Sequence, residues 1–317
     1  MTINHLFLFY LKYIWPIQKH FVKRTKRCPN CLLKFTNGLC NECNIYVKDD
    51  TNINNHYDSF KEMIYEHINS GNRYDAILFL SGGKDSSYML QRIKHEFTSL
   101  NLLCVLVNNG FMSDYALSNA KSASSKCHTD LMVANEYQED FRVALRIALL
   151  EAHKHGCYST VDYADGKLMT QVGINIASDL GIKMAFMGLT KAQVDNILKL
   201  DTFYEIVNGV KLMYPMSIWD PSESEVHNEA KSLIGETSSI LSNNKLVPTM
   251  MAVDMKNLGY FSFEKEFSQL IREGKADRDF WVNVCDLGAF FTRWGFLNKE
   301  MKTILDKLDL SVSEVIK

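Results

Sequence analysis

Seven consecutive residues, Ser81-Gly82-Gly83-Lys84-Asp85-Ser86-Ser87, concentrate more phosphate-binding chemistry than any other stretch of the sequence. Two adjacent glycines reach dihedrals closed to other residues and let the backbone approach a ligand closely. A helix that follows such a turn presents unpaired N–H groups and a positive dipole end, and successive N–H groups form a nest for an anion. The hydroxyls of Ser81, Ser86 and Ser87 add donors. Lys84 supplies a point charge suited to phosphate, and Asp85 suits a magnesium ion or a helix cap. The spacing is not that of the Gly-x4-Gly-Lys-Ser/Thr loop.

A second cluster is Cys28-x2-Cys31-x8-Cys40-x2-Cys43. Two such knuckles suit tetrahedral zinc in a closed structural site, with an iron–sulfur cluster as the alternative. Gly38 lets the chain fold back before the second knuckle. The other four cysteines, Cys104, Cys127, Cys157 and Cys285, are scattered. A secreted disulfide scaffold spreads its cysteines along a shorter chain, so this pattern points to a reducing, cytoplasmic compartment.

These groups need elements to hold them. Residues 74–80 read as a buried strand running into the glycine turn, and a helix from about 86 to 97 follows. Strands at 102–107, 131–134 and 183–187 alternate with helices at 113–125, 137–154 and 166–180. Such alternation predicts an α/β fold, a parallel twisted sheet with helices on both faces. A helix at 57–70 precedes it, and the polar stretch 48–55 reads as a linker. Four segments follow: an apolar and basic N-terminal helix (1–27), a zinc-ribbon-like module (28–47), the α/β domain (57–235) and a helical C-terminal region (236–317). The chain has 317 residues, 46% hydrophobic, and a net charge of -2. That charge disfavours a broad nucleic-acid surface.

The loop at 81–87 resembles that of the N-type ATP pyrophosphatases, the PP-loop family. The resemblance implies an adenine nucleotide α-hydrolase-like fold, ATP with Mg2+, and cleavage between the α and β phosphates, with Lys84 and Asp85 as the catalytic pair. Ligands of a parallel sheet lie beyond the carboxyl ends of its strands. Val107 and Asn108 are therefore placed to touch adenine or ribose, and Asn119 points back to the same crevice. Asn109-Gly110 is equally an ordinary turn. The segment 187–193 forms the second wall, with Gly188, Thr190, Lys191 and Gln193 as candidates.

Further motifs resemble one branch of that family, the N-acetyl sugar amidotransferases of surface-polysaccharide and nonulosonic-acid pathways. Gly38-Leu39-Cys40-Asn41-Glu42-Cys43 is similar to their second knuckle. Asn108-Asn109-Gly110-Phe111 with Asn119 is similar to their Asp-Asn-Gly-Trp…Asn stretch. Phe263-Glu264, residues 268–274 with Arg278, and residues 305–314 resemble their C-terminal signatures. Arg278 would then bind a sugar phosphate or carboxylate. The pattern departs at Asn108, where the family has aspartate, and at 246–257, which has no counterpart. The resemblance implies a nucleotide-linked N-acetyl sugar substrate, adenylated on its amide oxygen, and ammonia from a class I glutaminase partner. No nucleophilic cysteine with a partner histidine is evident in this chain.

Two other readings compete. A thiolase acting on tRNA or a small molecule shares the loop and the knuckles, and would use Cys127 and Cys157 as a catalytic pair. A non-catalytic nucleotide sensor is the third. The N-terminal stretch 6–27 joins apolar residues to Lys19, Lys23, Arg24, Lys26 and Arg27 and is too short to span a bilayer. It reads as a helix packed on the protein body, as an interfacial membrane helix, or as a cleaved signal.

Overall fold

The structure, a computed structural model, describes residues 3–35, 37–46, 53–68, 71–235 and 244–317. The chain forms two compact units. One comprises residues 49–138 and 166–237, and the other residues 1–48, 139–165 and 238–317.

The first unit is built on a six-stranded sheet. Its strands are β1 (Ala76–Phe79), β2 (Leu102–Val107), β3 (Asp130–Ala134), β4 (Met184–Phe186), β5 (Tyr204–Val207) and β6 (Val210–Met213), in the order β3-β2-β1-β4-β6-β5. Every pairing is parallel except that of β5 with β6. All residues of β1, β2 and β4 are buried. That explains their unbroken apolar runs, because a parallel sheet is covered on both faces. Edge strand β3 alternates instead, with Asp130 and Met132 exposed. Gly173, in the helix Tyr163–Asp179, packs so tightly on the sheet that a Cβ there would lie 2.1 Å from the Phe79 ring.

The alternation read from the sequence is present, with β1 and β4 trimmed by a residue or two at their ends, β2 as expected and β3 extended by one residue to Asp130. The β5–β6 hairpin was not anticipated. Its turn is Asn208-Gly209, both at positive φ (50° and 76°), the dipeptide that favours a two-residue hairpin. The expected helix at 57–70 instead occupies Ile53–Tyr65, and residues 69 and 70 lie outside the described residues. Residues 47–52 are also outside them, so the expected linker is described only from residue 53, where that helix has begun. Thr36, residue 47 of the cysteine module and residues 236–243 at the start of the C-terminal region lie outside as well.

The second unit is helical. Its helices Val247–Asn257, Glu264–Arg272, Arg278–Arg293 and Asn298–Lys307 accompany the N-terminal helical segment and the cysteine module. Phe7 and Tyr10 set their rings edge-on to Phe291, and Trp15 lies 5.8 Å from Phe290. One face of the N-terminal segment is therefore packed on protein. Among the described residues no helix is long and apolar enough to cross a membrane.

Candidate functional site

β1 ends at Phe79 and the helix Lys84–Glu96 begins five residues later, so residues 80–83 must turn sharply. Gly82 makes the turn at φ +72°, against the backbone of Ala116 in the helix Asp114–Lys126. Gly83 is the N-cap and, having no side chain, contributes no side-chain cap to the first turn of the helix. Asn119 is buried and its Nδ2 donates to the Gly82 carbonyl at 3.3 Å, which fixes the loop from the neighbouring helix. The Gly83 N–H donates to Ser81 Oγ at 3.3 Å, and Ser81 Oγ lies 3.1 Å from Ser86 Oγ. The Ser87 hydroxyl is buried with no hydrogen-bond partner among the described residues, an arrangement that costs about 1–3 kcal/mol unless a ligand or water answers it. Lys84 Nζ and Asp85 Oδ1 pair at 3.0 Å with their side chains 33% and 39% exposed. An exposed pair of this kind is worth little and exchanges readily for other partners.

The loops beyond β2 and β4 flank this turn, because β1 lies between those two strands. Asn108 is half-buried. Its Oδ1 accepts from the Gly110 N–H at 3.0 Å and its Nδ2 donates to Asn135 Oδ1 at 2.9 Å. Asn109 is buried, and its Oδ1 accepts from the Phe111 N–H. These are Asx turns, the reason asparagine suits both positions. A Cβ at Gly188 would lie 3.5 Å from Ser86 Cα, so the loop after β4 runs against the first turn of the helix Lys84–Glu96.

The structure thus brings Asn119 and Gly188 against Ser81 to Ser87, and Asn108 follows the adjacent strand β2. The side chains of Thr190 and Gln193 are occupied differently from the expectation. They form a reciprocal capping box on the short helix Lys191–Gln193. Lys191 pairs with Asp195 at 2.8 Å. Sequence reasoning missed Ala116, whose carbonyl sets the glycine requirement, and Asn135, which holds Asn108. Neither has a local signal, since both act across strands or helices.

In the other unit the four module thiols lie within 4.8 Å of one another, three of them buried. Cys31 and Cys40 Sγ are 3.6 Å apart. Burial raises the Cys28 thiol, but the N–H groups of Cys40 and Asn30 outweigh it and lower the pKa to about 6. Burial pushes the Cys31 and Cys43 thiols up. Four converging sulfurs with backbone N–H groups aimed at them fit a tetrahedral zinc, and Cys28, Cys31, Cys40 and Cys43 would hold it. The module is tied down by the C-terminal helices. Arg27 makes two bonds to Glu264, at 2.7 and 3.1 Å, and faces Asp286 at 3.6 Å. Arg27 also donates to the Leu32 carbonyl, and the Leu32 N–H donates to Ser268 Oγ at 3.1 Å.

Arg278 belongs to this support. Its Nη2 donates to the Cys28 carbonyl at 2.8 Å, on the wall of a cleft of about 400 Å³ shared with Arg24, Lys26, Arg27 and Asp286. The guanidinium buttresses a ligand-bearing backbone, which is a structural role distinct from the expected sugar contact.

Outside the module, burial raises every cysteine thiol: Cys104 to about 12, with Cys127, Cys157 and Cys285 also up. Cys157 is fully buried, and Asp254, which accepts from its N–H, raises the thiol further. A nucleophilic cysteine needs the opposite environment.

No family model matches the chain. An uncharacterized protein of Methanocaldococcus jannaschii is 34% identical over 109 residues, 34% of this chain and 39% of that protein. The chain thus spans well under half the length of that curated relative. Among solved structures, the NH3-dependent NAD synthetase of Campylobacter jejuni is 14% identical, with 81% of this chain and 96% of that one aligned at a TM-score of 0.39. The NAD+ synthetase of Burkholderia pseudomallei is 12% identical, covering 83% and 94% at 0.39. The NMN synthetase of Francisella tularensis is 12% identical, covering 83% and 98% at 0.42. Likeness of this size carries no argument about substrate or reaction, so function is argued from the site itself.

Proposed function

We propose that this chain is an AMP-forming ATP pyrophosphatase that adenylates the amide oxygen of an N-acetyl sugar and exchanges that oxygen for ammonia. The observation that carries the reading is the start of the helix Lys84–Glu96, which has no side-chain cap, reached through Gly82 and Gly83 and bordered by three serine hydroxyls. An orphaned buried hydroxyl, that of Ser87, at the same loop fits a polyanion. The nest and Lys84 would bind the β and γ phosphates, and Asp85 supplies a carboxylate suited to Mg2+, which offsets phosphate charge when bound. The amide oxygen attacks the α phosphorus, the bond to the bridging oxygen breaks, and pyrophosphate leaves. Ammonia adds to the activated carbon, AMP departs with the former amide oxygen, and loss of a proton leaves an acetamidino group.

The sugar and the amidation half-reaction rest on the motifs at 38–43, 108–119 and 263–278. The raised thiols support two further points. They disfavour the thiolase reading, which needs Cys127 or Cys157 as a thiolate. They also favour a separate class I glutaminase as ammonia source, since this chain offers no activated cysteine of its own outside the metal module. The neutral overall charge makes tRNA the less favoured substrate.

The test is AMP and pyrophosphate release by the purified chain with ATP and ammonium chloride, comparing nucleotide-linked N-acetyl sugars with bulk tRNA. Turnover that requires a sugar and ammonia supports the proposal. Turnover that requires tRNA and is lost on Cys157→Ala or Cys127→Ala replaces it with a thiolase.

A further inference from the structure

The N-terminal segment packs only one of its faces. The other carries Phe9, Tyr13 and Ile17, exposed by 47%, 58% and 68%, and Phe21, 85% exposed, lies in the turn that follows the helix end at Gln18. Side chains four residues apart share a helix face, although in a regular α-helix a strict four-residue repeat drifts slowly around the axis. Here residues 10–14 form a wider π turn between two α-helical stretches, and the Phe9 and Tyr13 rings lie 5.3 Å apart. The stripe therefore stays on one side while Phe7, Tyr10 and Trp15 pack against Phe290, Phe291 and Phe296. Trp294, 69% exposed, follows the helix Arg278–Arg293 and sits 6.0 Å from Phe290.

Within the N-terminal segment the charge is of one sign, although Asp286 of the helix Arg278–Arg293 lies among its cations. Residues 1–27 contain Lys12, Lys19, Lys23, Arg24, Lys26 and Arg27 and no aspartate or glutamate, in a chain whose net charge is -2. Lys12, Lys23, Arg24 and Arg293 are exposed. The Lys12 ammonium rests 5.1 Å above the Tyr13 ring.

We propose that this face binds the surface of an anionic lipid bilayer, the segment lying in the interfacial plane with Tyr13, Ile17 and the adjoining Phe21 at the acyl boundary and the cations among the headgroups. Aromatic and branched apolar side chains flanked by Lys and Arg on a helix too short to span are the composition of an interfacial helix. Aromatic residues and arginine also suit a protein partner, but six Lys and Arg with no aspartate or glutamate in residues 1–27 favour an anionic lipid surface. The site would then work on a substrate held at, or delivered to, a membrane surface.

The experiment is flotation of the full-length chain with vesicles of phosphatidylcholine and phosphatidylglycerol in equal parts, against vesicles of phosphatidylcholine alone. The expected result is at least tenfold stronger binding to the anionic vesicles, weakened by raised salt. The triple variant Tyr13→Ser, Ile17→Ser, Phe21→Ser loses at least tenfold, as does the charge variant Lys12→Gln, Lys23→Gln, Arg24→Gln. Both keep the parent's thermal unfolding, since every altered side chain is exposed. Equal binding by the triple variant, or no binding by the parent, overturns the proposal. So does self-association of the parent without vesicles that the triple variant abolishes, which assigns the face to a second copy.

Discussion

Gly82 approaches the backbone of Ala116 so closely that a Cβ at residue 82 would sit 2.0 Å from the Ala116 carbonyl oxygen. The obstruction is main chain in a neighbouring helix, which cannot rotate away, and φ at Gly82 is +72°. Gly82→Ala must displace the loop or the helix. We expect pyrophosphate release to fall by at least about a hundredfold, the scale seen when a preorganised donor is lost. Thermal unfolding should register a loss of about 1–3 kcal/mol. Retained turnover in this variant would separate catalysis from the loop.

Lys84→Met and Asp85→Asn test the two charged groups of the loop without touching its backbone. Their side chains are about one-third exposed and pair with each other, so stability should change by less than about 0.5 kcal/mol. Steady-state assays should show kcat reduced by roughly two to three orders of magnitude for Lys84→Met. Asp85→Asn should raise the Mg2+ concentration needed for half-maximal rate.

Metal analysis should find one zinc per chain. Cys31→Ser removes a buried ligand and should abolish stoichiometric zinc, as should prolonged chelation. The unfolding midpoint should then fall by several degrees, because metal binding free energy to a structural site is folding free energy. A visible absorption band in the 400 nm region with iron in the protein would instead identify an iron–sulfur cluster.

Glu264→Gln should be among the most damaging single changes in the second unit. Arg27 and Glu264 side chains are each 3% exposed, and removing one partner of a buried pair costs about 3–5 kcal/mol by stranding the other charge. Chemical denaturation of this variant beside the double change Arg27→Met, Glu264→Leu provides the check. The double variant should recover only part of the loss, since buried Asp286, which Arg27 faces at 3.6 Å, then lacks its cation.

Buried thiols predict alkaline weakening. Burial pushes Cys104 up to about 12, above the ordinary thiol value of about 8.5. The native state therefore holds its proton where the unfolded chain has lost it. The contribution is complete below the ordinary thiol range and is lost as pH climbs towards 12. Guanidinium unfolding at pH 8 and pH 10.5 should show reduced stability at the higher pH, and Cys104→Ala should flatten that difference.

The legibility of this molecule in its sequence followed the range of each interaction. The phosphate turn was readable because its strand, glycines and helix are contiguous. Asn119 was readable because one helix separates it from the loop. Thr190 and Gln193 carried a local capping signature, threonine with glutamine three residues on, that a search for ligand contacts passed over. The β5–β6 hairpin was equally local at Asn208-Gly209, but the short strands lacked a long apolar run. The structural partner of Arg278 was hidden for the opposite reason. That partner, the Cys28 carbonyl, lies 250 residues away in sequence, and nothing near Arg278 announces it.

That separation bears on the order in which the molecule is made. The cysteine knuckles are translated early, whereas Glu264, Ser268 and Arg278, which fasten them, come late. At roughly 5–20 residues per second, a ribosome leaves the thiols without these partners for some tens of seconds. During that interval the nascent chain presents reactive sulfurs to oxidants and to competing metals, and a prematurely terminated product presents them permanently. Early capture of an ion would close the knuckles before their scaffold arrives, making metal supply a condition of biogenesis as well as of the finished fold.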